Sequence, residues 1–316
     1  RSDGHEVELV YLDRGKVAAL VAHEYPDFPA RQVGRHIPSR LGLYLRTGLY
    51  RELELARALR GRRIDAVVGC PGFQTALVGK LLGARSLGTY DDPEHRPNLV
   101  LSKLFCDVLL LPECLGETGT NVRPLRALKE WAHLSPRYFT PNPAVLAEYG
   151  LEPGRYVFVR EVEPRSLNYM DVHGQIIRSA YDAGLRDEHV VLSLEDKRRR
   201  DLFAGWQILE EPVSDLPSLL YYSKIVISSG DSMAREGAQL GVPSVYAGHR
   251  QMKANDALYA MGLMEHIATA SAIVERARVE QRTETSQAAV RQRLLTEWED
   301  VPEALTRALY TLMGEG

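Results

Sequence analysis

Apolar residues in this chain fall into two alternating textures. Short apolar runs at 64–69 (IDAVVG), 86–90, 108–111, 156–160 (YVFVR), 190–194 (VVLSL), 207–209, 225–228 (IVIS) and 244–246 read as strands. The first is bounded by Arg62-Arg63 and Cys70-Pro71-Gly72, as expected of a strand buried on both faces. Between the runs, apolar residues recur at helical spacing. Leu41, Leu45, Leu49, Leu53 and Ala56 precede the first strand, and 74–82 forms a helix stopped by Gly83. Segments 169–183, 216–222, 232–240, 255–261, 287–298 and 302–313 complete the helices, with Pro302 suited to a first turn. Such alternation implies parallel sheets with helices on their faces, an α/β class. Gly4 followed by a β-rich run at 5–11 reads as a helix stop before a strand, so a further strand and helix are expected ahead of Arg1.

The texture breaks once. Pro136, Pro141, Pro143 and Pro153 fall close together with Gly150 and Gly154, which marks a linker enclosing one short helix. A length of 316 residues suits two domains of roughly 150 residues each. The expected division is 1–140 for a first, acceptor-side domain and 141–300 for a second, nucleotide-binding one. A final helix, 301–316, would cross back to the first.

Charge narrows the partners. Thirty-nine basic and 42 acidic side chains leave a formal net charge of −3, which gives no global attraction to nucleic acid. The run Lys197-Arg198-Arg199-Arg200 reads as a solvated turn. No apolar run approaches the ~20 residues of a transmembrane helix, and no charged start leads into an apolar h-region, so a cytoplasmic location is expected. Cys70, Cys106 and Cys114 form no CxxC pair and are expected as buried free thiols.

The strongest chemical signal spans 224–243, KIVISSGDSMAREGAQLGVP. A buried strand ends in Ser-Ser-Gly, and a helix begins behind Asp231 or Ser232. The first turn of that helix offers free N–H donors and a positive dipole end, which suits a phosphate. Gly230 lets a diphosphate approach the backbone, and Ser232 can cap the helix or donate to a phosphate oxygen. Glu236, one turn in on the same face, can accept both ribose hydroxyls. The plainer alternative is that any strand–turn–helix junction uses Gly and Ser for geometry. Ligands of open parallel sheets bind at strand carboxyl ends, which favours the functional reading.

The stretch from Asp215-Leu216 to Pro243 resembles the donor half of GT-B glycosyltransferases and of non-hydrolysing UDP-N-acetylglucosamine 2-epimerases. The whole chain resembles an uncharacterised archaeal and bacterial family of that superfamily. The matching residues are Gly4-His5-Glu6-Val7, Asp91-Asp92-Pro93-Glu94-His95 with Asn98, Leu128-Lys129-Glu130 with Leu134, Tyr156-Val157-Phe158-Val159-Arg160, and 229–243. The resemblance implies two Rossmann-like domains facing a cleft, a nucleotide sugar (UDP-type) held by the second, and an acceptor of unspecified nature. It places Glu236 at the ribose and Ser229, Gly230, Ser232 and Met233 in the diphosphate turn. Asp231 departs from the pattern, standing where the superfamily usually has Gly. A carboxylate there would repel a diphosphate unless a cation intervenes. No cofactor is required by this reading, Mg²⁺ is admissible, and a homo-oligomer is compatible with it.

Residues 89–96 (TYDDPEHR) follow a strand, so Asp91 is the preferred general base with His95 as its partner. Glu94 is the third catalytic candidate, and the same carboxylates can ligate Mg²⁺. The competing reading is a solvated loop with Asp92 as an N-cap before Pro93. Arg160 at the end of YVFVR can hold a phosphate or carboxylate in bidentate fashion. Arg165, Asn168 and His173 are weaker candidates, and 249–253 (HRQMK) forms a polar basic loop that can reach an anion. Three functions follow: a glycosyltransferase, a UDP-sugar 2-epimerase, or a non-catalytic nucleotide or sugar-phosphate binder. The superfamily's epimerases carry an Asp where this chain has Cys70, and a His near Val159-Arg160 that is missing here. That ranks epimerisation second.

Overall fold

A computed structural model describes residues 4–13, 17–35, 51–70, 72–162, 176–279 and 283–314. The chain divides into two compact units. The first comprises Arg1–Leu111, Glu117–Pro124 and Leu305–Gly316, and the second Pro112–Gly116 and Leu125–Ala304.

In the first unit, β1 (Leu9–Asp13) is followed by α1 (Val17–Glu24) and pairs in parallel with β2 (Ala30–Arg35). After α2 (Arg51–Ala58), a second sheet is laid down as β3 (Ala66–Gly69), α3 (Gly72–Leu82), β4 (Arg85–Thr89), α4 (Arg96–Phe105), β5 (Val108–Pro112) and β6 (Val122–Leu125), in spatial order β3-β4-β5-β6. The pairs β3–β4 and β4–β5 are parallel, as the βαβ alternation dictates. Leu87, Leu109, Leu110 and Leu111 are buried on these strands. Gly79 lets α3 lie close: a Cβ there would meet Val67 Cγ2 at 2.9 Å and the Ala84 carbonyl at 3.1 Å.

The second unit contains α5 (Trp131–Leu134), α6 (Val145–Glu148), β7 (Val157–Glu161), α7 (Ile176–Asp182), β8 (Val190–Leu194), β9 (Gln207–Ile208), α8 (Leu216–Tyr221) and β10 (Ile225–Ser228). It continues through α9 (Asp231–Gln239), β11 (Ser244–Tyr246), α10 (Lys253–Ala260), β12 (Glu265–His266), α11 (Ala270–Arg278) and α12 (Glu284–Glu297), and the last helix, α13 (Val301–Met313), belongs to the first unit from Leu305 onward. Its six strands are all parallel in the order β12-β11-β10-β7-β8-β9. The chain builds outward from β7 through β8 to β9, then returns to the other side of β7 with β10. This is the doubly wound Rossmann order, with its switch point between β7 and β10.

The near-continuous apolar sequences of β7, β8 and β10 follow from this position, since central parallel strands are covered on both faces. One face packs Val157, Val159, Leu192, Ile225 and Ile227 against Ile177 of α7, Ile273 of α11, Phe203 and Trp206. On the other face Gly237 of α9 comes so close to Val226 and Ser244 that a Cβ would lie 2.8 and 2.5 Å from their side chains.

Several expectations need correction. The Pro-rich stretch lies inside the second unit, not at its border, and encloses α6 as anticipated. Its polar groups are tied to that unit: Asn142 N–H donates to Ser218 Oγ (2.9 Å), Ser214 Oγ to Glu148 (2.6 Å), and Gln207 to the Tyr149 carbonyl (2.9 Å). Of the three free cysteines only Cys106 is buried; Cys70 and Cys114 are exposed. The basic run at 197–200 opens a 3-10 helix, Lys197–Phe203, in which Arg199 pairs with buried Glu161 at 3.0 Å. Residues 36–50, with Leu41, Leu45 and Leu49, and the segment carrying Arg165, Asn168 and His173 lie outside the described residues.

Candidate nucleotide site

The switch point sets where a ligand of the second sheet would lie, outside the carboxyl ends of β7 and β10. Two serines fix the turn that leaves β10. Ser228 Oγ lies 2.5 Å from the Gly230 carbonyl and accepts from Gly230 N–H at 3.1 Å. Ser229 stitches the two strand ends together. Its hydroxyl accepts from Val162 N–H (3.0 Å) and lies 3.1 Å from Glu161 Oε2, while its N–H donates to the Arg160 carbonyl (3.0 Å). Both hydroxyls thus shape the loop. Glu161 is buried, and desolvation pushes its carboxyl above the usual range against the pull of Arg199 and Ser229.

Gly230, extended at φ −102° and ψ 139°, is the N-cap of α9, and no side chain caps the helix. This corrects the expectation that Asp231 or Ser232 does so. Asp231 instead occupies the first helical position and is buried. Its Oδ2 pairs with Arg250 Nη1 at 3.1 Å and lies 3.8 Å from Arg235 Nη1. Ser232 and Met233 follow, partly exposed on the first turn, and Arg235 Nη2 lies 3.4 Å from Ser232 Oγ.

Glu236 lies four residues beyond Ser232, on the same helix face. It is partly buried, and its carboxylate receives no hydrogen bond among the described residues. Burial, followed by the negative charge of Glu130, pushes its pKa up to about 7, against the pull of Arg235, Lys129 and Arg160. Arg160, at the end of β7, donates to Ser193 Oγ (3.0 Å) and pairs with Glu195 at 3.3 Å.

Behind the turn sits a buried polar cluster that no local sequence signal announces. Arg235 Nε and Nη2 both donate to Glu130 Oε1, at 3.0 and 2.8 Å. Asn255 Oδ1 accepts from Arg235 Nη1 at 3.3 Å, and Gln239 reaches Glu130 Oε2 at 3.4 Å. Glu130 and Arg235 are 105 positions apart. Only their 3% and 1% exposure shows that they need each other, since a buried charge without its partner is costly.

The loop after β4 carries the acid–base candidates of the first unit. Asp91 is buried, Glu94 is exposed and His95 is intermediate. His95, not Asp92, is the N-cap of α4, with its N–H on the Asp92 carbonyl at 3.2 Å. Among the described residues, no three His, Cys, Asp or Glu side chains are grouped to hold a metal ion.

Solved structures with the same architecture define the class. The spinosyn forosaminyltransferase SpnP aligns over 99% of this chain and 93% of its own, with a TM-score of 0.64 and 17% identity. The S. aureus MnaA–UDP co-structure aligns over 98% and 97%, with a TM-score of 0.65 and 12% identity. The UDP-GlcNAc 2-epimerase of Methanocaldococcus jannaschii, solved with UDP-GlcNAc and UDP, aligns over 92% and 99% at a TM-score of 0.56 and 12% identity. The chain thus has the mixed α/β, parallel-sheet fold shared by GT-B glycosyltransferases and UDP-sugar 2-epimerases. Residues 100–308, more than half of the chain, match the family described as "Protein of unknown function (DUF354)", and the chain belongs to that family. A curated relative is the uncharacterized protein MJ0665 of M. jannaschii, 22% identical over 258 residues that cover 77% of this chain and 74% of the relative.

Proposed function

We propose that the second unit binds a nucleotide sugar, with the diphosphate on the first turn of α9 and the ribose on Glu236, and that the protein is a glycosyltransferase. What carries this reading is Glu236. A partly buried carboxylate with no hydrogen-bond donor, one turn into an uncapped helix at the sheet's switch point, is a costly arrangement in the absence of a ligand. The two ribose hydroxyls would supply the missing donors. The free N–H groups of the first turn and the helix dipole would take the diphosphate. Arg160, anchored by Ser193 and Glu195, adds a cation at the end of the neighbouring strand.

In the reaction, an acceptor hydroxyl attacks the anomeric carbon, the bond to the diphosphate breaks, and the acceptor proton passes to a base. Asp91 is the candidate base, with His95 and Glu94 as its companions on the loop after β4. Stabilising the departing diphosphate at a prearranged helix terminus is the main catalytic contribution of the second unit. The proposal includes no metal requirement and no cofactor.

Calorimetric titration with UDP and other nucleoside diphosphates tests the binding step. Glu236→Gln should weaken binding roughly ten- to a hundred-fold, the effect of losing about 1.5–3 kcal/mol of charge-assisted hydrogen bonding, with an unchanged circular dichroism spectrum. Failure of every nucleoside diphosphate to bind, or equal binding by the variant, overturns the reading. Transfer is then tested by release of free nucleoside diphosphate from a nucleotide sugar. The epimerase reading draws on the same fold and on buried Asp91. It predicts solvent deuterium in the sugar without diphosphate release.

A further inference from the structure

Asp231 stands at the most unfavourable place for a carboxylate if the first turn of α9 receives phosphates, yet the structure surrounds it with arginine. Reading outward from the core, Glu130, Arg235, Asp231 and Arg250 form a chain of alternating charge, linked at 2.8 Å, 3.8 Å and 3.1 Å. The first three members are buried. Arg250 is the solvent-side end, with 17% of its side chain exposed.

The backbone carrying Arg250 is fixed against the same turn. Its N–H donates to Tyr246 Oη at 3.0 Å. Two residues earlier, a Cβ on Gly248 would lie 2.4 Å from that hydroxyl oxygen and 2.6 Å from the Ser229 carbonyl, so only glycine lets the loop sit this close. His266 Nε2 lies 2.9 Å from the Gly248 carbonyl, and its ring stacks on Tyr246. The guanidinium is therefore presented at the first turn of α9 by a braced loop and by Asp231. A guanidinium held in this way has lost most of its side-chain freedom before any ligand arrives, and its fork matches phosphate oxygens.

We infer that Arg250 is the phosphate-contacting cation of this site and that Asp231 is the residue that positions it. This rests on the nucleotide reading above. It explains why a carboxylate occupies a place where the resembling superfamily has glycine: the acid holds the arginine at the turn, and the pair leaves the turn neutral before the helix dipole is counted. Asp231 would thus support diphosphate binding while Arg250 is present and oppose it when Arg250 is removed.

That inversion of sign is the test. The parent, Arg250→Gln, Asp231→Asn and the double variant are titrated with UDP, GDP, ADP and CDP, with the matching nucleosides, and with EDTA or Mg²⁺. Arg250→Gln should weaken the best-binding diphosphate roughly ten- to a hundred-fold while leaving its nucleoside within about two-fold. Arg250→Lys should recover part of the loss, and the parent should bind equally with EDTA and with Mg²⁺. Asp231→Asn should weaken diphosphate binding in the parent but strengthen it in the Arg250→Gln background, where only repulsion remains. Thermal melts confirm folding, and the double variant, which leaves no unpaired partner at this position, stands in if Arg250→Gln alone does not fold. If the parent binds a diphosphate that Arg250→Gln holds equally well, or if Asp231→Asn acts with the same sign in both backgrounds, this inference is wrong and the nucleotide reading survives. If no diphosphate binds the parent, both fail.

Discussion

Glu236 and Glu130 show how differently two carboxylates close together in a fold can be treated. Glu130 is met by the full fork of Arg235, whereas Glu236 receives no hydrogen bond and is pushed up to about 7. A folded-state pKa above the ordinary 4.5 means that the folded protein binds more protons than the unfolded chain between those two values. Stability therefore falls as pH rises through that window. Glu236→Gln should escape this cost. In urea unfolding the variant should exceed the parent by about 1–3 kcal/mol at pH 8, and the difference should shrink toward pH 5. Ligand binding has the opposite slope, because ribose hydroxyls donate to the charged carboxylate. A nucleotide sugar, whose diphosphate diester holds its charge over this range, should bind the parent more tightly at pH 8 than at pH 6, and Glu236→Gln equally at both. Glu130→Ala strands a buried guanidinium and should cost about 3–5 kcal/mol, measured the same way. The placement of Glu236, Gly230 and Arg160 beside strand ends was legible in the sequence because each sits at a fixed distance from a recognisable apolar run. The pairings of Glu130 with Arg235, Glu161 with Arg199 and Asp231 with Arg250 were not, because each is made by tertiary packing between segments with no shared periodicity.

The elements of the second sheet were readable wherever a strand is buried on both faces. The runs at 156–160, 190–194 and 225–228 match β7, β8 and β10 within a residue or so at each end. Strands without such a run escaped notice. Glu265 and His266 of β12 are exposed, β2 reads ARQVGR, and β6 is interrupted by Pro124. Edge position and brevity remove the apolar pattern on which the reading depends. Helix α9 was legible as a helix, but its intimacy with the sheet was not. Gly237 makes that approach possible, so Gly237→Ala should destabilise the protein by about 1–3 kcal/mol through overpacking against Val226 and Ser244, despite alanine's higher helix propensity. Gly205, where a Cβ meets nothing within 4 Å but φ is +84°, offers a contrast: substitution there acts through backbone strain alone.

For the whole molecule, the two-domain expectation drew its border at the most conspicuous break in composition. The chain instead changes unit around residues 111, 116, 124 and 304. Around prolines 141, 143 and 153 backbone polar groups find partners within the second unit: the Pro141 carbonyl accepts from Tyr222 Oη at 3.4 Å, Asn142 N–H donates to Ser218 Oγ, and Gly154 N–H donates to the Tyr222 carbonyl at 2.8 Å. The short excursion Pro112–Gly116 matters to that unit: Leu115 is fully buried, and its carbonyl accepts from Lys253 Nζ at 2.6 Å. A fragment of residues 125–304 should thus be less stable than one of residues 112–304 by about 2–5 kcal/mol, the usual cost of removing a buried leucine, as read from denaturant midpoints. The same division joins segments that lie far apart in the sequence. Leu305–Gly316 belongs to the first unit, where Tyr310 Oη meets His5 Nε2 at 3.1 Å. On the ribosome, residues 1–111 are synthesised well before Leu305–Gly316, a segment of the same unit. Every segment of the second unit, which among residues 1–316 ends at Ala304, is therefore synthesised before Leu305–Gly316, the last segment of the first unit.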